Sequence, residues 1–134
     1  MSEKNSKFYN FLSSTYIYII LQKLMSATYV RKNFVKNHIK KGHNVLDVGS
    51  GPSSILSDLP EINYYGYDIN QSHIEYAKKK YPNKNFHFFC KKINKNEICK
   101  LPKFDCALLL GLLHRLNDKE FLTIIRLIKN TLKK

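Results

Sequence analysis

Val45-Leu46-Asp47-Val48-Gly49-Ser50-Gly51-Pro52-Ser53 is the stretch that decides how this chain folds. An apolar, β-branched run interrupted by one acid reads as a buried strand. The two glycines that follow allow a sharp turn and let the backbone approach a ligand where a Cβ would collide. Ser53 and Ser54 are then placed to cap a short helix ending near Pro60. A strand, a glycine turn and a helix start together form a cradle for a nucleotide-type cofactor, because the helix start presents unpaired N–H groups. The pattern is Asp-x-Gly-x-Gly. The last glycine of a dinucleotide-binding G-x-G-x-x-G falls at position 54, which is Ser54, and this favours an adenosyl cofactor other than NAD.

Downstream, Asn63-Tyr64-Tyr65-Gly66-Tyr67-Asp68 reads as a second strand with a carboxylate at its end. An ionised acid accepts hydrogen bonds from both hydroxyls of a ribose. The distance from Gly49 to Asp68 is close to the ~20 residues that separate a glycine turn from its ribose acid.

In these two motifs the chain resembles the class I S-adenosylmethionine-dependent methyltransferases. Phe104-Asp-Cys-Ala-Leu-Leu-Leu-Gly-Leu-Leu-His-Arg-Leu116 is similar to that family's fourth strand and the loop leaving it. The resemblance runs from about Gly42 to the C-terminus. It implies a Rossmann-like, doubly wound α/β fold, with a mostly parallel sheet of about four strands in the spatial order third, second, first, fourth. It also implies a set of cofactor-binding residues. Gly49, Ser50 and Gly51 lie against the methionine portion, and Asp47 orients that loop. Asp68 takes the ribose, Ile69 packs on the adenine, and Leu110 and Gly111 form the floor under the sulfonium. His114 is the candidate catalytic base, since an imidazole can take a proton near neutral pH.

The chain departs from the family in two places. Lys92 stands where many members carry an acid that accepts from the adenine amine, and an ammonium is only a donor. The family also continues past its final helix with three more strands. Without them the fourth strand is an apolar sheet edge, which invites a homodimer or a partner chain.

Composition fits one small domain: 134 residues, 43% hydrophobic, enough for one core. The formal charge of +13 is mostly lysine, clustered at Arg31–Lys41, Lys78–Lys80, Lys91–Lys103 and Lys129–Lys134; with few interleaved arginines and no nucleic-acid motif it reads as a solvated surface, so nucleic acid is not the expected partner. Cys90, Cys99 and Cys106 include no C-x-x-C pair and no metal-ligand spacing appears, so no metal site is expected. Three thiols suit a reducing, cytoplasmic setting. The apolar run Tyr16–Leu21 stops at Gln22 and Lys23, well short of the ~20 residues a membrane span needs.

Residues 1–41 read as an N-terminal cap of two helices and 42–134 as the cofactor domain. Phe8, Leu12, Tyr16, Ile20 and Leu24 form one helical stripe; Val30, Phe34, Val35 and Ile39 form a second. Ser26-Ala27-Thr28 breaks the two, and Gly42 ends the second with a left-handed cap. Ser72-x-x-Glu75 reads as a capping box opening a helix over 72–80, with Ile74 and Ala77 facing the sheet. Phe86–Cys90 reads as the third strand, Lys100–Lys103 as a turn, and Phe104–Leu110 as a fourth strand covered on both faces. Asp118 is expected to cap the last helix, whose apolar positions are Phe121, Leu122, Ile125, Ile128 and Leu132.

The function expected from these features is methyl transfer to a small-molecule acceptor. The alternatives are a non-catalytic S-adenosylmethionine-binding subunit and an RNA-associated methyltransferase. No Asn-Pro-Pro-Tyr-like tetrapeptide follows the fourth strand, which weighs against methylation of base amino groups.

Overall fold

The computed structural model describes residues 28–112 and 115–134. The first apolar stripe, the Ser26–Ala27 break and His114 therefore lie outside the described residues, as do the side chains of Val30 and Phe34. Helix α1 (Thr28–His38) leads into β1 (Asn44–Val48), and a 3₁₀ turn (Ser54–Asp58) leads to β2 (Asn63–Asp68). Helix α2 (Gln71–Lys80), β3 (Phe86–Cys90), a one-turn helix α3 (Lys95–Ile98), β4 (Cys106–Leu108) and α4 (Asp118–Lys129) follow. The strands pair in parallel in the order β3-β2-β1-β4. This is the Rossmann-like arrangement and the strand order expected from the sequence. No helix among the described residues is long and apolar enough to cross a membrane.

Parallel strands joined by helices must be covered on both faces, and the period-two pattern supplies two apolar layers. Val45, Tyr64, Phe88, Cys106 and Leu108 face α1 and α2, meeting Val35, Ile39, Ile74 and Ala77. Leu46, Val48, Tyr67, Ala107 and Leu109 face α4, meeting Ile124, Ile125 and Ile128. Gly42 takes φ +83 but does not cap α1, which ends four residues earlier at His38: its N–H goes to the Glu61 carbonyl at 2.8 Å, and it shapes the turn over residues 40–43 into β1.

Several local expectations need correction. Ser53 does not cap the 3₁₀ turn. It is fully buried in the left-handed region at φ +56, and its side chain makes no capping bond. The cap of α2 is Asn70, whose side chain accepts from the His73 N–H, rather than a Ser72–Glu75 box. Glu75 instead accepts from the Gln71 side chain one turn back, at 2.7 Å. The cap of α4 is Asn117, in a reciprocal capping box with Glu120, one residue before Asp118. At both helices an asparagine one or two residues upstream does what the expected residue was assigned to do; its side-chain oxygen is an equally good acceptor. The short α3 arises the same way, from Asn94.

Strand β4 is shorter than the apolar run, and its edge is not bare along its whole length. Phe104 forms a parallel bridge with Leu132: its N–H donates to Thr131 and its carbonyl accepts from Lys133, both at 2.8 Å. Lys133 Nζ also reaches both oxygens of Asp105, at 2.8 and 2.9 Å. Burial raises the Asp105 carboxyl, but the Lys133 ammonium and the Asn44 N–H outweigh it and hold it below its usual value. The side chains of Cys106, Ala107 and Leu108 are buried between the two helical layers. What remains at the edge is backbone, not exposed apolar side chain.

One polar group sits inside the α1–α2 layer. Asp47 is 3% exposed, and its Oδ2 accepts from Tyr64 Oη at 2.6 Å, while Ser53 Oγ lies 3.1 Å from the same phenol. Gly66 makes this possible. It stands opposite Asp47 in the β1–β2 register, and a Cβ on it would meet the Tyr64 ring at 2.8 Å. The ring leans across the missing side chain to reach the carboxylate. Burial, the charge of Asp47 and the hydrogen bond to it push the Tyr64 phenol well above its ordinary value.

Tyr64→Phe is expected to cost about 1–3 kcal/mol at neutral pH, because it leaves a buried acceptor one donor short. A raised phenol pKa contributes stability that is complete below the unfolded value of about 10 and is lost as pH rises past it. Tyr64→Phe should therefore lose less stability than wild type in alkali, a difference that urea melts at pH 7 and pH 10.5 will show. Burial, with the charges of Asp47 and Asp105, pushes the Cys106 thiol up to about 12. Cys90 and Cys99 are exposed. Thiol titration at pH 8 should label two cysteines quickly and the third only on unfolding.

Candidate functional site

Because β1, β2 and β4 run parallel, their carboxyl ends emerge together, and the loops leaving them enclose a cavity of about 420 Å³. Of the residues singled out in the sequence, Gly49, Gly51, Asp68, Ile69 and Gly111 line it. Asp47, Ser50 and Leu110 do not. Asp47 turns into the core, as described above. Leu110 packs in the α1–α2 layer, and Leu112 takes the wall position. Ser50 holds the loop: its N–H and that of Gly49 both donate to the Tyr67 carbonyl, at 3.0 and 2.8 Å.

The glycines are required by geometry that differs at each position. Gly49 turns at φ +74, and a Cβ there would press on Leu112 Cβ at 3.0 Å. A Cβ on Gly111 would sit 2.7 Å from the Gly49 carbonyl oxygen, a backbone atom that has no room to yield. Gly51 is different: its φ of +55 favours glycine, but a Cβ would meet only His73 Nδ1, at 3.9 Å. The loops leaving β1 and β4 therefore lie backbone against backbone, and the space beside Gly51 stays open.

Asp68 ends β2 with both oxygens engaged. Oδ2 accepts from the Gly51 N–H and Oδ1 from the Asn70 N–H, each at 2.8 Å. Each oxygen keeps a further lone pair for a ligand hydroxyl. His73 Nδ1 lies 3.8 Å from Asp68 Oδ1, beyond hydrogen-bond reach. His73 Nδ1 and Tyr67 Oη are buried with no hydrogen-bond partner among the described residues. Both residues line the cavity. Burial, with the Glu97 charge and Tyr65, pushes the Tyr67 phenol up to about 12, so it stays a neutral donor and acceptor. Ile69 projects from the rim, 74% exposed.

The opposite wall is basic at its rim and apolar within. Lys91 and Lys92 follow β3, and Arg115 follows β4. Lys91 pairs with Glu97 at 3.0 Å and lies over the Phe89 ring. Ile93, Leu112, Leu116 and Ile124 supply the apolar surface. The sequence reading missed His73, Tyr67, Ile93 and Arg115 as wall residues. His73 had a legible signal, five residues after Asp68 on the first turn of a helix; the others had none.

The donor set suits an adenosyl cofactor. It combines a side-chain-free cradle at Gly49 and Gly111, a carboxylate with spare lone pairs, orphaned polar atoms and an apolar slot. Lys92 in the wall is the one element that does not match the expected adenine acceptor.

No curated protein matches the chain. Among solved structures it is similar to a precorrin 8w decarboxylase from Methanobacterium thermoautotrophicum, with TM-score 0.62 and 23% identity over 82% of this chain and 60% of that one. It is also similar to a TehB-like SAM-dependent methyltransferase from Corynebacterium glutamicum, with TM-score 0.62 and 17% identity over 97% of this chain and 66% of that one. A third is a SAM-dependent methyltransferase from Geobacter sulfurreducens in complex with S-adenosyl-L-homocysteine, with TM-score 0.59 and 17% identity over 82% and 45% of the two chains. The chain thus spans less than two thirds of the length of these relatives. At these identities the likeness establishes the fold. The family profile described as "Methyltransferase domain" matches residues 45–134, from β1 through α4 to the last residue, and on that match the chain belongs to the methyltransferase domain family.

Proposed function

We propose that the chain binds S-adenosylmethionine in the cavity at the carboxyl ends of β1, β2 and β4 and transfers its methyl group to a small-molecule acceptor. The observation that carries this reading is the meeting of the two glycine loops with Asp68 around one cavity, within a methyltransferase domain. When bound, the cofactor supplies an activated methyl group on a sulfonium. The protein's work is then mostly positioning. Gly49 and Gly111 keep the floor free of side chains. Asp68 accepts from the ribose hydroxyls while its bonds to Gly51 and Asn70 hold its carboxylate in place. Ile69 and Ile93 offer apolar faces to the adenine. Tyr64 and Asp47 brace the end of β1 from below. In this reading His114, two residues beyond the cavity-lining Leu112, takes the proton of a hydroxyl or amine acceptor.

Lys92 favours a second reading, a domain that binds the cofactor without turning it over. Calorimetric titration with S-adenosylmethionine and S-adenosylhomocysteine tests the first claim, and methyl release from labelled cofactor separates the two. Absence of binding to either compound would reject both.

Asp68→Asn should keep the fold and weaken S-adenosylhomocysteine binding by ~1.5–3 kcal/mol, the value of a hydrogen bond to a charged group. Unchanged affinity would remove Asp68 from the ribose. Gly111→Ala should weaken binding more than Gly51→Ala, because only the former collides with backbone. The same titration, with thermal melts as a control for folding, checks the order.

A further inference from the structure

We infer that the methyl acceptor is an anionic small molecule, carrying a carboxylate or phosphate that Arg115, on the loop leaving β4, holds at the mouth of the cavity. This rests on the methyltransferase reading above and adds the class of its substrate. The charges lining the cavity do not balance. Among the described residues its one carboxylate, Asp68, already accepts two backbone N–H groups. Lys91 is neutralised by Glu97. Among the described residues no carboxylate lies within ion-pair reach of Lys92 or Arg115. Arg115, exposed and without an ion-pair partner among the described residues, therefore stands at the mouth of a cavity whose cofactor itself carries a sulfonium.

Ile93, Leu112, Leu116 and Ile124 make the inner wall apolar, while Arg115 stands exposed at its mouth. An anionic acceptor removes the imbalance of charge. It pairs with Arg115 and brings a negative charge beside the sulfonium it attacks. The choice of side chain points the same way. The chain has three arginines among 23 Lys and Arg residues, and one of them stands in this wall. Guanidinium presents a planar fork that matches a carboxylate or phosphate with two parallel hydrogen bonds, which a lysine cannot. The Arg115 N–H also donates to the Leu112 carbonyl at 3.0 Å, which ties its backbone to the cavity wall.

The experiment titrates benzoate, phenyl phosphate and the neutral isostere benzamide into the whole protein, with and without saturating S-adenosylhomocysteine, read by calorimetry. Both anions are expected to bind at least about tenfold more tightly than benzamide. Arg115→Gln should remove most of that preference. Arg115→Lys should restore part of it. Arg126→Gln removes the same charge from an exposed position on α4, outside the cavity, and should change nothing. Equal binding of benzoate and benzamide would overturn the inference. So would a loss in Arg126→Gln as large as in Arg115→Gln, since the preference would then belong to the general positive field of the chain. Displacement of benzoate by a single-stranded oligouridylate at lower concentration would assign Arg115 to an RNA backbone instead. Binding of S-adenosylhomocysteine without any anion preference would reject the acceptor class alone. Failure to bind S-adenosylhomocysteine would reject the methyltransferase reading and the acceptor assignment with it.

Discussion

The carbonyl oxygen of Gly49 occupies the space where Gly111 has no side chain, and the arrangement at the open end of the sheet depends on that approach. A Cβ at position 111 would lie 2.7 Å from this oxygen, and one at position 49 would lie 3.0 Å from Leu112 Cβ. Two loops that leave neighbouring parallel strands can touch through backbone only if both lack side chains at the point of contact. The touch holds the β1 and β4 exits together and leaves the cavity between Gly51, Asp68 and Ile93 as the space not filled. The same constraint explains why Leu112, rather than Leu110, forms the wall: Leu110, two residues past β4, still points into the core layer below the sheet.

Beneath this contact, one buried hydrogen bond controls how β1 ends. Asp47 lies in an apolar layer where a carboxylate without donors is costly. Tyr64 supplies a donor by crossing Gly66, so a glycine in the middle of β2 serves a polar group on β1. The arrangement couples three positions that have separate roles in the sequence. Replacing Gly66 would push the ring away from Asp47 by crowding alone.

Charge is arranged differently inside and outside the fold. The buried carboxylate meets a neutral phenol, and the half-buried Asp105 meets Lys133 and a backbone N–H. The carboxylates Asp58, Glu61 and Glu97 each pair with a nearby lysine. With so many cations and few acids, the chain cannot neutralise every lysine. That imbalance falls also on the cavity mouth, where it bears on what the site will accept.

The sequence by itself determined the strands β1, β2 and β3, the helix after β2 and the glycine turn, because each follows from a local pattern of apolar spacing or from backbone angles open mainly to glycine. It also determined, through the order of motifs, that Gly49, Gly51, Asp68, Ile69 and Gly111 share one end of a parallel sheet. It did not determine which residue capped α2 and α4, since neighbouring Asn, Ser and Asp side chains compete for the same N–H groups over one or two residues. Nor did it show that Tyr64 satisfies Asp47, that Gly66 makes room for it, or that Thr131 and Lys133 return to pair with Phe104. Those contacts join residues 17 to 29 positions apart. Only the packed sheet decided them, because a buried polar group takes whichever partner the tertiary fold brings within hydrogen-bond distance.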